Sequence, residues 1–227
     1  MPTLKDLYEE LKACKETNPL SRMLEKFVTG SLSAFGKSTN VDLDNPYIVL
    51  DITDMTEDLK PLGMFLAVDY VWDKVKESRI RKKAVFLDET WNLTGAGASR
   101  LSANFTYEIF RLIRGYAGIA VAATQEIEDF FSLDDGRYGK GITANSRIKF
   151  ILQLEEDEAF VIQKHLSLTD EETMQVIRNN QGQALLCANR NRVCIDIKTS
   201  PFLYNLLTTK RTDLEKRRKE CHERKSL

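Results

Sequence analysis

Four short apolar runs, set between longer stretches with helical periodicity, constrain this chain most. The runs are Tyr47-Ile48-Val49-Leu50, Ala84-Val85-Phe86-Leu87, Gly118-Ile119-Ala120-Val121-Ala122-Ala123 and the segment from Arg147 to Leu154. Runs without polar alternation suit strands buried on both faces, as in a parallel sheet. The segment from Asp58 to Ser78 predicts a long amphipathic helix. Its inward side would carry Leu59, Leu62, Phe65, Leu66, Trp72 and Val75, with Pro61 in the first turn. Leu101 to Tyr116 predicts another helix. Strand and helix in alternation predict one α/β domain with a mainly parallel central sheet.

The flanks read differently. Leu4, Leu7, Tyr8 and Leu11 form one helical stripe behind a capping Thr3, with Asp6 adding negative charge to the first turn. Asn18-Pro19 restarts the chain into a second helix with Leu20, Met23, Leu24 and Phe27, ended by Gly30. Thr169 and Glu172 make a capping box for a helix reaching Arg178. Ala184–Ala188 and Arg192–Ile197 predict a hairpin turning at Asn189-Arg190-Asn191, and Pro201 opens a short helix. The tail from Lys210 to Leu227 carries eight basic and four acidic residues. It suits a solvated helix or frayed end; a docking arm for DNA or a neighbouring subunit is the alternative. The expected division is thus 1–30 helical, 31–209 α/β core and 210–227 charged tail or helix.

Composition removes several classes of function. Against 33 Lys+Arg stand 34 Asp+Glu, which argues against a generically basic nucleic-acid binder. No apolar run approaches the roughly 20 residues of a membrane span. The opening residues do not form a signal peptide. Cys14, Cys187, Cys194 and Cys221 lack metal-ligand spacing, and His165 and His222 do not complete a zinc set. They read as buried reduced thiols of a cytosolic protein, with Cys187 and Cys194 on neighbouring strands.

In parallel α/β sheets ligands gather at the carboxyl ends of the strands. Those ends carry Asp51, Asp88-Glu89 and Thr124-Gln125. Ala84-Val85-Phe86-Leu87-Asp88-Glu89 has the form of a Walker B strand. The Asp at such a tip holds water of a Mg²⁺ shell, and the Glu orients or deprotonates the water that attacks a γ-phosphate. A plain strand-to-loop exit produces the same letters. Gln125 lies one helix and one strand further on, the spacing of an adjacent parallel strand. Its amide suits sensing a γ-phosphate, or simply capping a strand end. Arg114, closing the intervening helix before Gly115, offers the forked cation that phosphoryl transfer takes from a neighbouring subunit. A surface Arg favoured by the helix dipole is the plainer reading. Arg111 and Arg147 are weaker candidates for the same role.

Gly36-Lys37-Ser38-Thr39 imitates the end of a phosphate loop, but the pattern needs Gly where Ser31 stands, and Gly30 is one residue too far. The segment also follows a helix and leads into Asp42, Asp44, Asn45 and Pro46, which do not open one. The chain therefore carries a Walker-B-like strand and no Walker A.

Several stretches, in order, resemble the carboxyl-terminal motor domain of the large ATPases of conjugative type IV secretion, the TraC/TrbE and VirB-type class of the FtsK–HerA superfamily. They are Phe27 to Ser31 through Thr39 to Leu43, Tyr47 to Ile52, Ala84 to Trp91, Arg111 to Arg114 with Gly118, Ala123 to Phe130, Ala144 to Ser146, and Gly182 to Leu186. Asp88-Glu89-Thr90-Trp91 and Ala123-Thr124-Gln125 with Asp129 are the most specific. The resemblance runs to about Thr209. It implies a partial RecA-like P-loop NTPase three-layer fold that uses ATP and Mg²⁺. Metal coordination falls on Asp88, catalysis on Glu89, γ-phosphate sensing on Gln125 and the trans finger on Arg114; Asp88, Glu89 and Gln125 together contact the nucleotide. The family carries a basic residue beside that Arg, where this chain has Gly115. Its phosphate loop lies upstream of the segment with which this chain begins, so the chain resembles the downstream part of a motor. The implied partners are further copies in a hexamer, other channel components at the inner face of the membrane, and DNA. The implied location is the cytoplasm or the cytoplasmic face of the membrane.

Two other functions use the same residues. Asp51, Asp88 and Glu89 together suit a Mg²⁺-dependent nuclease or phosphatase. Alternatively the acids are vestigial, and the terminal helices bind partners in a non-catalytic interaction module.

Overall fold

A computed structural model describes residues 2–30, 32–38, 45–56 and 59–215. The chain divides into two compact units, Met1–Leu50 and Asp51–Leu227.

The first unit is helical. Helix α1 (Leu4–Ala13) opens on the expected Thr3 cap, and Asp6 does more than add charge, completing a capping box: the Thr3 hydroxyl accepts from the Asp6 N–H, and the Asp6 carboxylate accepts from the Thr3 N–H. Helix α2 (Asn18–Val28) follows, with Pro19 in its first turn. Its Leu20 and Met23 stay exposed. A 3-10 turn, Ser33–Gly36, leads to Lys37 and Ser38, so the GKS letters follow a turn and not a strand. Ser31 and residues 39–44, which complete that segment, lie outside the described residues.

The predicted strand Tyr47–Asp51 does not form. The segment is irregular, with Tyr47 80% and Val49 70% exposed. Apolar side chains supply only the faces of a strand. Its backbone also needs a paired neighbour, and among the described residues no strand pairs with this run. Local turns bracket it instead: the Tyr47 N–H donates to Asn45 Oδ1, and the Thr53 N–H to Asp51 Oδ1.

In the second unit α3 (Lys60–Lys76) packs with Met64, Val68, Trp72 and Val75 inward, and Leu66 faces out. The expected face was thus rotated in the first half of the helix, where apolar residues occupy nearly every side and periodicity does not choose among them. Asp58, the expected start, lies outside the described residues. Strand β1 (Lys83–Leu87) comes next, and the Lys83 ammonium caps the end of α3 by donating to the Val75 and Ser78 carbonyls. Helices α4 (Trp91–Thr94) and α5 (Arg100–Leu112) lead through the 3-10 turn Ile113–Tyr116 to β2 (Gly118–Ala122). Then come α6 (Ile127–Phe130), α7 (Arg137–Asn145) and β3 (Ile148–Ile151). Helices α8 (Glu156–Leu166) and α9 (Asp170–Arg178), strands β4 (Gln183–Ala188) and β5 (Asn191–Asp196), and α10 (Pro201–Leu207) complete the order. Residues 211–215 are helical; the rest of the tail, with Cys221 and His222, lies outside the described residues.

Strands β1 and β2 pair in parallel, in register from Lys83↔Gly118 to Leu87↔Ala122. One face of this pair packs on α3, α5 and the 3-10 turn after it through Val85, Ile109, Ile113, Trp72 and Val75, with Leu87 and Ala120 beside them. The other face presents Phe86, Ile119 and Val121 to solvent. The third layer of a three-layer fold is therefore not seen among the described residues. The remaining strands form a separate antiparallel sheet in the order β3-β4-β5. The run from Arg147 to Leu154 does yield a strand, but it pairs with the hairpin and not with β2. Parallel pairing among the described residues is thus confined to β1 and β2.

The hairpin turns at Asn189-Arg190, with Asn189 in the left-handed region at φ 57°. Cys187 and Cys194 lie on its paired strands as free thiols. Cys187 is buried as expected, and burial pushes its thiol up. Cys194, on the exposed outer strand, and Cys14 are exposed, against the expectation of buried thiols. Arg192 fastens β5 to the helices. It donates to Glu172 Oε2 at 2.6 Å and to the carbonyls of Ser167 and Leu166.

Candidate active site at the tips of β1 and β2

The parallel pairing continues past the strands. The Ala123 N–H donates to the Leu87 carbonyl at 2.9 Å, and the Thr90 N–H returns a bond to the Ala123 carbonyl at 2.9 Å. Thr90, fully buried, also donates its hydroxyl to the Leu87 carbonyl at 2.9 Å. These bonds lock the exit of β1 to that of β2, and so place Asp88-Glu89 beside Thr124-Gln125.

Glu89 sits at φ 47°, in the left-handed region that a side chain enters at a cost of about 1 kcal/mol or more. Its surroundings hold it there. Its carbonyl accepts from the Asn92 N–H at 3.0 Å and the Asn92 side-chain amide at 3.3 Å. Both carboxylate oxygens are occupied as well. Oε1 accepts from Gln125 Nε2 at 2.6 Å, and Oε2 from the Trp91 indole N–H at 2.8 Å. Asp88 is exposed at the strand tip, where its Oδ1 accepts the Glu89 N–H at 3.1 Å. The other oxygen has no protein partner among the described residues. A free, hard carboxylate oxygen beside an oriented one is a donor set that fits the water shell of Mg²⁺.

The structure brings Asp88, Glu89 and Gln125 together and leaves Arg114 apart. Arg114 is exposed in the 3-10 turn before β2, whereas Gln125 follows the far end of that strand. The five residues of β2 put about 16 Å between the two ends. Arg111 lies over the Tyr107 ring, and Arg147 is exposed before β3. Asp51 does not join the site either. Its carboxylate is used by Thr53, whose hydroxyl first and N–H second hold it below the usual carboxylate range. Among the described residues no three acids, Cys or His converge to hold a metal ion. The triad of Asp51, Asp88 and Glu89 needed for a nuclease or phosphatase is therefore not assembled.

Sequence reasoning missed the roles of Thr90, Trp91 and Asn92. The Glu-x-Trp spacing was the available signal, since a residue two positions on can return to a carboxylate if the chain turns sharply between.

The sequence profile of the TraG P-loop domain matches residues 23–209. The chain belongs to the TraG P-loop domain family. Among solved structures, this TraG-family chain resembles VirB4 of Thermoanaerobacter pseudethanolicus with a TM-score of 0.77 and 25% sequence identity. The match covers 88% of the present chain and 56% of that one, so the chain spans little more than half the length of its relative. No functionally curated protein matches. The likeness gives the TraG-family chain an α/β RecA-like P-loop fold and a resemblance to the motor domain of the conjugative type IV secretion ATPases. Among the described residues no helix is long and apolar enough to cross a membrane.

Proposed function

We propose that this chain is the water-activating part of an ATP-hydrolysing motor that energises conjugative transfer of DNA or protein through a type IV secretion channel. The observation that carries the reading is the bond from Gln125 to Glu89 across the tips of two adjacent parallel strands. A carboxylate and an amide so placed match the base and sensor of phosphoryl transfer. Glu89 takes a proton from water as the water oxygen bonds to the γ-phosphorus and the bond to the bridging oxygen breaks, leaving ADP and phosphate. Asp88 would hold the water shell of Mg²⁺, which neutralises charge on the phosphates. Gln125 reports the γ-phosphate.

Arg114, at the opposite end of β2 from this site, serves a neighbouring copy as a finger in trans. That role calls for an oligomer, for which a hexamer is the proposed form. The further partners are other channel components and DNA at the cytoplasmic face of the membrane. Residues 1–30 are the helical segment of this motor, 31–209 its core and 210–227 a charged appendage.

The phosphate loop is supplied by polypeptide outside this sequence. The exposed Phe86, Ile119 and Val121 support that view, since an apolar sheet face of this kind calls for a covering layer. Without the loop's backbone N–H groups and Lys, phosphoryl transfer loses most of its positioning and charge stabilisation, so this chain by itself does not turn over ATP. The test is ATP hydrolysis by this chain and by the protein that includes the loop. Glu89→Gln should lower turnover of the latter by about 100-fold or more. Rapid hydrolysis by the present chain alone would refute the fragment reading. Full activity of the Glu89→Gln protein would refute the role of Glu89.

A further inference from the structure

Glu89 is held by two donors of different character. Gln125 is exposed, lies on the irregular segment between β2 and α6, and reaches Oε1 from a distant part of the chain. Trp91 is its opposite. It is half-buried at the start of α4, and its ring packs with Phe110, Phe130 and Ile142. It is tied to Glu89 through the fully buried Thr90, whose carbonyl accepts from the Leu93 N–H at 2.9 Å and the Thr94 hydroxyl at 3.2 Å. The indole is therefore packed in place, whereas the amide is exposed and can leave Oε1 without unpacking a core.

We propose that Trp91 is the positioning residue of the catalytic carboxylate. Its N–H fixes Oε2, so that Glu89 keeps its direction when Gln125 leaves Oε1 for a terminal phosphate. Oε1 is then the oxygen exposed to water. The inference rests on the proposed ATPase reading and deepens it: one donor is the permanent anchor, the other the exchangeable reporter. A carboxylate on a left-handed residue with no second anchor would relax once the amide left, and a misplaced base loses much of the advantage of a preorganised site.

Trp91→Phe tests this, because it keeps an aromatic ring in the cluster and removes only the donor. In the ATP-hydrolysing protein it should lower kcat about tenfold and leave KM for ATP within about twofold, as expected when an interaction orients the reacting group without binding substrate. A spectroscopic readout is independent of turnover and uses the present chain. The indole N–H resonance of Trp91 should move in Glu89→Ala and stay in place in Gln125→Ala, with that of Trp72 unmoved in both. An indole resonance indifferent to Glu89→Ala overturns the proposal even if Trp91→Phe fails to fold. A kcat unchanged in Trp91→Phe, alongside inactivation by Glu89→Gln, overturns it while leaving the ATPase reading intact. Activity surviving Glu89→Gln sinks the ATPase reading instead.

Discussion

Leu50-Asp51 and Leu87-Asp88 end two apolar runs that look alike in sequence, yet they end up in different physical situations. The second run is a strand because β2 lies beside it in register, and α3 and α5 cover Val85. The first has no partner among the described residues, and Val49 remains 70% exposed. Their acids differ accordingly. Asp88 presents an oxygen with no partner among the described residues at the tip of a paired sheet, beside a Glu oriented from two other elements. Asp51 spends its carboxylate on a residue two positions away. The lesson concerns cause: an apolar run sets what a strand can bury, but a neighbouring backbone decides whether it becomes one. Only a strand fixed in a sheet can hold an acid where another element can meet it.

The largest expected difference is in activity. In the ATP-hydrolysing protein, Asp88→Asn should cost about 100-fold or more in turnover, because a metal-directed charge disappears. Asp51→Asn should leave the rate within about twofold. Equal losses at both positions would mean that the two run ends share one site after all. A smaller contrast lies in stability. Val85→Ala should destabilise the chain by about 2 kcal/mol, since it removes buried methyl groups from the core under β1. Val49→Ala should stay within about 0.5 kcal/mol. Chemical denaturation of both variants measures the difference. A comparable loss at Val49 would show that the first run is packed in solution.

What could be read from the sequence follows the same division between local and distant causes. The Thr3 cap and the capping box of Thr169 with Glu172 were legible because partner and target lie within one helical turn. The adjacency of β1 and β2 was legible because a single crossover joins them. The separation of β3 from β2 was not, since apolarity does not encode which edge a strand takes. Helix α8 was overlooked, although Glu156, Asp157 and Glu158 in its first turn and Lys164 and His165 in its last follow the macrodipole. Helix α7 was hidden by its glycines. A Cβ on Gly139 would lie 2.3 Å from the Phe130 carbonyl, and one on Gly141 would lie 2.5 Å from the Tyr107 ring. They are glycine because of neighbours met only in the fold, and local propensity counts them against a helix. At the site, Asp88, Glu89 and Gln125 were legible as a pattern. The left-handed turn at Glu89 that brings Trp91 back to it was not, because a non-glycine residue rarely adopts that conformation and nothing in the local letters announces it.

The smallest effect gives the sharpest test of local against distant support. Asp51 is held below the usual carboxylate range first by the Thr53 hydroxyl and then by the Thr53 N–H. A depressed value means that the folded form prefers the charged group. The associated stabilisation is present above the unfolded-state value near 3.8 and is lost as pH falls through the folded one. Thr53→Ala deletes the hydroxyl and keeps the N–H at 2.9 Å, so the titration of Asp51 followed by carboxyl NMR should move back toward 3.8 without reaching it. Because both donors sit two residues away, the depressed titration should outlast the β1–β2 core at intermediate denaturant and return to the unfolded value near 3.8 only at a higher concentration. The indole resonance of Trp91, which depends on Glu89 being held by the paired strands, should collapse with that core. If the two signals were lost at the same denaturant concentration, the turn at Asp51 would be part of the cooperative fold, and the contrast drawn between the two acids would fail.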